Sequence, residues 1–410
     1  MRLTPIAAAA ALAILAAPSA RPAPATPAAA VDVRRCGAKG DGKADDAPAF
    51  LAAIARATAQ KVPVTVPMGI YRLGKPLVLG SVALCGPPGG AWNADIDSMP
   101  VLEPSHRDKP CVTMGAGAGL KGLCIRYKWQ AEPTSGPAAV LVTGIGAYIS
   151  GVKIMYPWDG IMTDGVNNVG RLHIENVFMV SPRNVGVRVT GTWDVPSLRN
   201  VEVWNAGPVP RGLDKGIGFD LGKNDLIRLT DCFAFAMQTG FLLRDKIPGC
   251  KIEGGTWGTM ANCATDYCGY GLVVEGDNTV SVSGGTFWNH AEGLVVQGST
   301  ARVRISAAEF RSNGAPAVKV LSADHVALSG CSILRPMKEH KPPTVLLEGG
   351  RTILSGNRID GWGVGIAVNG PATLTATGND LEAHDFALLE DRHTVGGSVR
   401  TDIPAKEARP

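Results

Sequence analysis

An internal repeat constrains the fold of this chain more than any other feature of its sequence. A small residue, Asn or Asp recurs at a bend, most often every 22 to 24 residues, with an apolar residue two positions before it and another three positions after it. We assign the bends to Asn176, Asn200, Asp231, Gly254, Gly284, Ala307, Gly330, Gly356 and Gly378. The positions in between are mostly polar, and this alternation is typical of strands with one buried face.

A second short apolar strand follows each bend at a similar distance, as in Val187–Val189 and Leu272–Val274. Leucine-rich repeats would need Leu at LxxLxL spacing, and propeller blades would need about 40 residues each. The sequence has neither pattern. We therefore predict an all-β fold, a right-handed parallel β-helix in which residues one repeat apart stack about 4.8 Å from each other.

The N-terminus has the layout of a secretory signal peptide. Arg2 precedes an apolar run from Ile6 to Ala17, and small residues follow near Ala20. We assign residues 1–30 to a signal peptide and linker. We therefore expect a secreted or periplasmic protein whose mature form has no membrane contact, because the apolar run is too short to span a bilayer.

The mature chain begins with a candidate helix. Asp45 and Asp46 precede Pro48 and an apolar-periodic stretch, which is typical of a helix with an acidic start and Pro in its first turn. We predict that this helix caps the open end of the solenoid. The β-helix domain is assigned to residues 31–391 and a polar tail to residues 392–410.

Charge and cysteine content argue against several kinds of partner. The net charge is +4 and the basic residues are scattered, which argues against nucleic-acid binding. Nine cysteines without a paired CxxC spacing and seven histidines give little support for a zinc site. We predict no metal and no cofactor, with Ca²⁺ expected only in the case of a lyase. The oligomeric state stays open.

One N-terminal segment resembles a known family. Its sequence is Cys36-Gly-Ala-Lys-Gly-Asp-Gly-Lys-Ala-Asp-Asp46, followed by Val64-Thr-Val-Pro67 and Gly69-Ile-Tyr-Arg-Leu73. Pectate lyase superfamily proteins related to polygalacturonases begin with a similar GAKGDGxxDD motif, a capping helix and a VxxPxGxY strand. The resemblance covers residues 31–80 and implies a parallel β-helix that acts on a polysaccharide. It selects no reaction, because hydrolases, lyases, epimerases and tail-spike proteins share this segment.

The motifs of the individual families are missing from the sequence. The Asn-Thr-Asp, His-Gly and Arg-Ile-Lys motifs of polygalacturonases and the Asp-Pro-His motif of epimerases are not found. The one Asp-Asp pair, Asp45-Asp46, is assigned to loop closure and helix capping. The reaction must therefore be inferred from the outward residues of the coils.

Outward residues one repeat apart stack in columns along the solenoid. One column contains Lys153, Phe178, Glu202, Phe233, Thr256, Thr286 and Glu309, and the next contains Trp204, Phe235, Trp288 and Arg311. Aromatic rings beside charged groups suit a sugar groove, because rings stack on pyranoses and charges orient hydroxyls or carboxylates. The residues predicted to bind substrate are Tyr127, Trp129, Lys153, Tyr156, Trp158, Arg183, Trp204, His290 and Arg311.

Catalytic candidates come from the same edge of the solenoid. Two segments, 205–216 and 258–270, are longer than their counterparts and are predicted to form walls of the groove. Glycoside hydrolysis needs two carboxyl groups about 5 to 10 Å apart, one of them protonated. Asp159, Glu202 and Asp214 are our candidates. A glycoside hydrolase is therefore the preferred class.

Two other functions stay open. A polysaccharide lyase would use Lys153, Arg183 or Arg311 to remove a proton next to a uronate carboxylate or to neutralise that carboxylate. A non-catalytic glycan-binding or adhesive solenoid would present the same groove without the chemistry. Away from the groove, Glu175 and Arg199 on adjacent coils are predicted to form a cross-strand ion pair.

Overall fold

The computed structural model describes residues 30–87, 98–128, 135–205, 216–336, 342–383, 386–390 and 397–403. Over these residues the chain is an all-β parallel solenoid of about 13 turns. Strands one repeat apart pair side by side in parallel, coil after coil. This confirms the predicted fold class and the stacking of residues that are one repeat apart.

Short strands form each coil. The N-terminal coils contain the strands Val31–Asp32, Asp41–Asp45, Val64–Thr65, Ile70–Leu73, Leu77–Val78, Ala83–Cys85, Val101–Pro104, Val112–Met114, Gly119–Lys121 and Cys124–Arg126, a 3-10 helix at Arg34–Cys36 and an α-helix at Ala47–Gln60. The strands next to the bends are Tyr148–Met155, His173–Val180, Ser197–Trp204, Asn224–Thr230, Phe233–Phe235, Thr256–Ala261, Ala264–Cys268, Thr279–Ser283, Thr286–Asn289, Glu309–Ser312, Ser332–Arg335, Arg351–Ser355, Arg358–Gly361, Thr373–Thr377, Asp380–Ala383 and Ser398–Thr401.

A further row of strands closes the coils on another face. It contains Ala138–Val142, Asp159–Thr163, Val185–Val189, Ile217–Leu221, Thr239–Arg244, Tyr270–Glu275, Val345–Leu347, Val364–Val368 and Phe386–Glu390. Two longer strands, Leu294–Ser306 and Val318–Ser329, pair with this row at their starts and with the strands before the bends at their ends. The second strand predicted for each repeat is therefore present.

The predicted bends have a left-handed backbone conformation. Asn176, Asn200 and Asp231 have φ angles of 51°, 50° and 54°. Asn, Asp and Gly adopt this conformation at lower cost than other residues, which explains why they predominate at the bends. The side-chain amide of Asn200 also donates a hydrogen bond of 2.9 Å to the Asn176 side chain on the preceding coil.

The apolar rows on both sides of the bends point into one common interior. The buried residues of these rows include Ile174, Met179, Leu198, Val203, Leu229, Ala234, Val282, Phe287, Ile305, Phe310, Leu328 and Ile333. Rings stack along the axis inside it, with centroids 4.6 Å apart for Phe219 and Phe241 and 5.0 Å apart for Phe287 and Phe310. Burial of these stacked rows removes apolar surface from water and is the main stabilising term.

One predicted bend is wrong. The structure places the bend of the central coil at Asn262, with φ 51°, and not at Gly254. Trp257, which the predicted register directs inward, is 53% exposed. Met260 and Thr265 occupy the inward positions before and after the true bend, and both are buried.

The reason for this error is an insertion on a different side of the coil. Residues 245–255 leave the strand row on the face away from the bends and pack back over earlier coils, where the N–H groups of Lys251 and Ile252 donate to the Gly165 carbonyl (2.9 and 3.0 Å). The predicted loop at 258–270 consists largely of strand residues instead. It therefore forms no wall of the groove.

A helix occupies the predicted place near the N-terminus, at Ala47–Gln60, with Pro near its start. Its buried face belongs to the main core through Phe50. The Asp46 carboxylate accepts hydrogen bonds from the N–H groups of Lys39 and Gly40 (2.6 and 3.0 Å), which closes the loop before the helix. That the helix caps the solenoid stays a prediction.

The ends of the chain carry predictions that the structure leaves untested. The described residues begin at residue 30, so the signal peptide lies outside them, as does most of the polar tail. The domain boundaries therefore stay predictions. Over the residues that are described, no helix has the length and apolar character needed to cross a membrane.

Candidate functional site

The outward column after the bends forms the centre of the candidate groove. Phe178, Glu202 and Phe233 are register partners on three successive coils, as predicted. The next position is Ala264 and not Thr256, which is buried in the interior because the bend is shifted. At about 4.8 Å per coil, these neighbours lie close enough to contact one sugar unit together.

Aromatic rings form a continuous row along the end of these strands. Ring centroids are 6.0 Å apart for Phe178 and Trp204, 6.4 Å for Trp204 and Phe235, and 6.0 Å for Phe235 and Tyr267. The Tyr267 ring meets the His290 ring edge-on at 4.9 Å. We call these five residues the aromatic ladder. Tyr267 is 58% exposed and the other four are partly exposed, so the ladder offers rings to a ligand over five coils.

Glu202 lies in the apolar middle of this surface. Its register partners on both sides are the phenylalanines Phe178 and Phe233. Burial raises the pKa of the Glu202 carboxyl, and no charge or hydrogen bond of a described residue offsets that effect. A carboxyl whose pKa is raised by an apolar setting is suited to act as a general acid.

Two of the predicted binding residues are buried. Lys153 is 2% exposed, and its ammonium group lies 5.5 Å from the centroid of the Phe178 ring. Tyr127 is 5% exposed and belongs to the main core, and burial raises the pKa of its hydroxyl. Lys153 pairs in register with the outward Phe178, as predicted, but the exposure expected of it is wrong. Tyr127 likewise contributes little surface to a ligand.

A narrow cleft lies at the coils that precede the ladder. Its lining includes the cationic side chains Arg107, Lys128 and Arg183 and the aromatic side chains Tyr127, Tyr156 and Trp158. We call it the basic cleft, because its described lining includes no carboxylate. Four residues predicted to bind substrate (Tyr127, Tyr156, Trp158 and Arg183) thus meet in one place.

Backbone hydrogen bonds explain why these residues meet. The N–H of Tyr156 donates to the Val180 carbonyl (2.8 Å), and the N–H of Arg183 donates to the Trp158 carbonyl (3.1 Å). Successive coils therefore leave the strand at the same edge, and their side chains gather there. Gly136 lies against Trp158, where a Cβ would approach the Trp158 Cβ to 2.8 Å, so a larger residue would push the two segments apart.

Asp159 has a structural environment. Its carboxylate accepts hydrogen bonds from the Asn184 side-chain amide (2.8 Å) and the Val185 N–H (3.1 Å) on the next coil. Burial raises the pKa of the Asp159 carboxyl, and the hydrogen bond from Asn184 opposes that rise. These contacts hold the turn before Val185 in place. Asp159 lines neither the basic cleft nor the cleft at the other end of the ladder.

A second and roomier cleft lies at the other end of the ladder. Its lining includes Asp266, Tyr267, Trp288, His290 and Arg311. We call it the mixed cleft, because it contains an acid, a base and a cation. The His290 Nε2 atom is buried and has no hydrogen-bond partner among the described residues.

The cation of the mixed cleft is held by its aromatic neighbour. The Arg311 guanidinium lies 4.8 Å from the centroid of the Trp288 ring, and the Trp288 indole N–H donates to the Glu309 carboxylate. This contact holds the guanidinium near the ring, and a guanidinium is the group best suited to bind a carboxylate through two hydrogen bonds. The mixed cleft can therefore orient a uronate.

The clefts are separated by the middle of the ladder. Three coil steps lead from Phe178, whose coil carries Arg183, to Ala264, whose coil carries Asp266. At about 4.8 Å per step, this corresponds to roughly 14 Å along the axis. Glu202 lies within this interval, one step from Phe178. A ligand that reaches both clefts must therefore pass over Glu202.

Two predicted site residues, Trp129 and Asp214, lie outside the described residues, as does most of the predicted wall at 205–216. Their roles stay predictions. Among the described residues, no group of three or more His, Cys, Asp or Glu side chains is placed to hold a metal ion.

Sequence reasoning did not select several residues that line the clefts. Arg107 lies in an irregular segment between two N-terminal strands, where no repeat indicates its position. Lys128 directly follows Tyr127, and this adjacency was a usable signal. Asp266 and Tyr267 were expected on a long loop, but a strand brings them to the groove because Asp266 pairs in register with Phe235.

Comparison with known proteins agrees with the fold. Residues 30–98 match the family model described as rhamnogalacturonase A/epimerase, pectate lyase-like. No curated protein matches the chain. The match includes the segment from Cys36 to Leu73 that resembles this superfamily.

Several solved structures are similar to the whole solenoid. The A-module of the mannuronan C-5 epimerase AlgE6 from Azotobacter vinelandii has a TM-score of 0.57 at 19% identity, covering 92% of this chain and 99% of that one. The catalytic unit of a GH87 α-1,3-glucanase from Streptomyces thermodiastaticus gives 0.51 at 17%, covering 92% and 69%. The tailspike protein of E. coli bacteriophage HK620 gives 0.58 at 9%, covering 90% and 78%. These likenesses show that the chain is a parallel β-helix by fold.

Proposed function

We propose that this protein binds an extended acidic polysaccharide along the aromatic ladder and hydrolyses it, with Glu202 as the general acid. The observation that carries the proposal is the ladder itself. Its rings follow one another on successive coils, and a cationic group lies in the cleft at each end. Rings provide stacking surfaces for sugars, and the cations provide partners for carboxylates. We expect the protein to act outside the cytoplasm.

The position of Glu202 supports hydrolysis. A general acid must be protonated when it meets the glycosidic oxygen, and burial between aromatic neighbours raises the pKa of this carboxyl. The second carboxyl that hydrolysis requires is proposed to be Asp214. Asp159 is left out of the mechanism because its carboxylate already accepts two hydrogen bonds from the next coil.

The experiment compares Glu202→Gln with the unchanged protein on a panel of acidic and neutral polysaccharides. Removal of a general acid is expected to lower the release of reducing ends by about 100-fold or more while binding persists. Glu253→Gln is the matched control, because Glu253 is exposed on the insertion at 245–255, away from the ladder. Undiminished cleavage by Glu202→Gln would remove this residue from the mechanism.

A lyase is the second candidate, and the mixed cleft is the observation that favours it. Tyr267 and His290 contact each other there, beside the guanidinium of Arg311. In a lyase, Arg311 would neutralise the uronate carboxylate while His290 or Tyr267 removed the neighbouring proton. Unsaturated products that depend on His290 but not on Glu202 would support elimination, and binding without any product would indicate an adhesive role.

A further inference from the structure

Four polar side chains meet on the face of the solenoid that precedes the bends, around the corner from the groove. They are Ser150, His173, Glu175 and Ser197, and they lie on three adjacent strands. Register pairing places Ser150 beside Glu175 and Ser197 beside His173. Arg199 lies beside Glu175 in the register, as predicted, and its charge helps to lower the pKa of the Glu175 carboxyl. The close contacts of that carboxylate, however, are with His173 on its own strand and Ser150 on the preceding coil.

The hydrogen bonds of this cluster form a relay. His173 Nδ1 lies 2.6 Å from Ser197 Oγ, and His173 Nε2 lies 3.1 Å from Glu175 Oε2. Ser150 Oγ donates to Glu175 Oε1 at 2.9 Å. An ionised carboxylate only accepts hydrogen bonds, so a neutral His173 carries its proton on Nε2. Nδ1 is then free to accept the hydroxyl proton of Ser197.

The carboxylate of the relay orients the imidazole. Hydrogen bonds from Ser150 and His173 lower the pKa of the Glu175 carboxyl, so it stays ionised at neutral pH and holds the imidazole in one tautomer. The His173 side chain is 42% exposed, so a ligand in solution can reach it. A hydroxyl, a base and a group that orients the base are the parts of an activated nucleophile.

Two arginines occupy positions next to the relay on the sheet. Arg228 is the register partner of Ser197 on the next coil, and Arg199 is the register partner of Glu175. Both are exposed, and neither forms a hydrogen bond or an ion pair within the described part of the chain. A guanidinium next to the nucleophile can stabilise the negative charge that develops on an attacked carbonyl oxygen.

We propose that Ser197, His173 and Glu175 form a second catalytic site, which hydrolyses acyl esters. Ser197 Oγ attacks the carbonyl carbon while His173 Nδ1 takes the hydroxyl proton, and that proton leaves with the departing alcohol. Water then cleaves the acyl-serine bond, passing one proton through His173 back to Oγ and releasing a carboxylic acid. An O-acylated saccharide is the substrate class, and this assignment of the saccharide rests on the proposed function.

The test uses two probes that do not involve the groove. A fluorophosphonate is expected to modify the unchanged protein at Ser197, as located by mass spectrometry of its peptides. Hydrolysis of p-nitrophenyl acetate is expected to fall by about 100-fold or more in Ser197→Ala and in His173→Gln. Ser281→Ala is the matched control, because Ser281 is an outward serine in the same column two coils beyond Arg228, and it should retain both activities.

Two results would overturn the site: a fluorophosphonate that leaves Ser197 unmodified, or an ester hydrolysis rate that Ser197→Ala does not change. In the second case, the ester hydrolysis that remains would come from other surface nucleophiles, for example from His173 acting without Ser197. Glu202→Gln should leave ester hydrolysis intact. Failure of the glycan assay and failure of the ester assay are therefore separate outcomes.

Discussion

The basic cleft and the mixed cleft lie at opposite ends of one aromatic ladder, yet they differ in charge. The basic cleft presents Arg107, Lys128 and Arg183 with no carboxylate in its described lining. In the mixed cleft, Arg311 shares the space with Asp266. A polyanion therefore gains attraction at the first cleft, whereas the acid of the second partly offsets it there.

The difference separates binding from orientation. Cations near the surface increase the affinity and the association rate for a polyanion, and their effect falls with salt. A cation held over the ring of Trp288, with the Asp266 carboxylate in the same cleft, mainly determines the orientation of a ligand instead. We infer that the basic cleft holds the polymer and that the mixed cleft fixes the orientation of one sugar.

Removal of charge from the basic cleft should have the largest effect on binding. In Arg107→Ala combined with Lys128→Ala, affinity for an acidic polysaccharide is expected to fall about 10- to 100-fold at low salt, because two cations are lost from a cleft whose described lining has no carboxylate. Titration calorimetry at low and high salt measures this, and the loss should shrink as salt rises.

A matched pair of exposed cations away from the clefts provides the control. Arg304 and Arg351 lie on the face that precedes the bends and are exposed. Their replacement by Ala removes the same net charge and should change affinity little. An equal loss in both double variants would show that net charge and not the basic cleft governs binding.

Truncation at the mixed cleft should have a smaller effect. Tyr267→Ala removes the most exposed ring of the ladder together with its contacts to Phe235 and His290. Affinity or KM is expected to change by about tenfold, corresponding to one stacking surface. Tyr270→Ala is the control, because Tyr270 is exposed on the adjacent strand but is absent from this cleft. A larger loss in Tyr270→Ala would contradict the placement of the ligand.

The register of the coils shows how far sequence alone can lead. From Gly284 to Gly378 the bends recur at nearly constant spacing, and each predicted bend has a positive φ. In the coil after Asp231 an insertion lengthens the repeat, and periodicity alone does not tell on which side of the coil the extra residues lie. The inward Thr265 adds to the ambiguity, because a polar residue occupies a position that is apolar in neighbouring coils.

The sequence predicted which edge of the solenoid carries the candidate site better than it predicted the environment of the individual side chains. The sequence indicated Trp204, Glu202 and Arg311 on one side of the solenoid, because their columns follow from the repeat. It could not indicate that Lys153 is buried, since burial of an outward side chain depends on segments that cross over the coil. Nor does spacing reveal the relay around His173, whose members Ser150, Glu175 and Ser197 come from three adjacent coils.

The last prediction, with the smallest expected effect, concerns Glu202 in the stretch of ladder between the two clefts. It states how the stability of the folded protein should depend on pH. Burial raises the folded-state pKa of Glu202 above its value in the unfolded chain. Below the unfolded pKa both states hold the proton and the residue has no effect. As pH rises through the folded pKa, the folded state must bury a charge, so stability is lost.

Glu202→Gln removes that ionisation. The variant should match the unchanged protein in melting temperature at acidic pH and exceed it at neutral pH, by no more than about 4 °C. Differential scanning calorimetry over a pH series measures the difference, with Glu253→Gln as the exposed control. A melting temperature for Glu202→Gln that is lower at neutral pH would mean that the carboxylate is stabilised by a partner. The stretch between the clefts would then not be the apolar setting that keeps a general acid protonated.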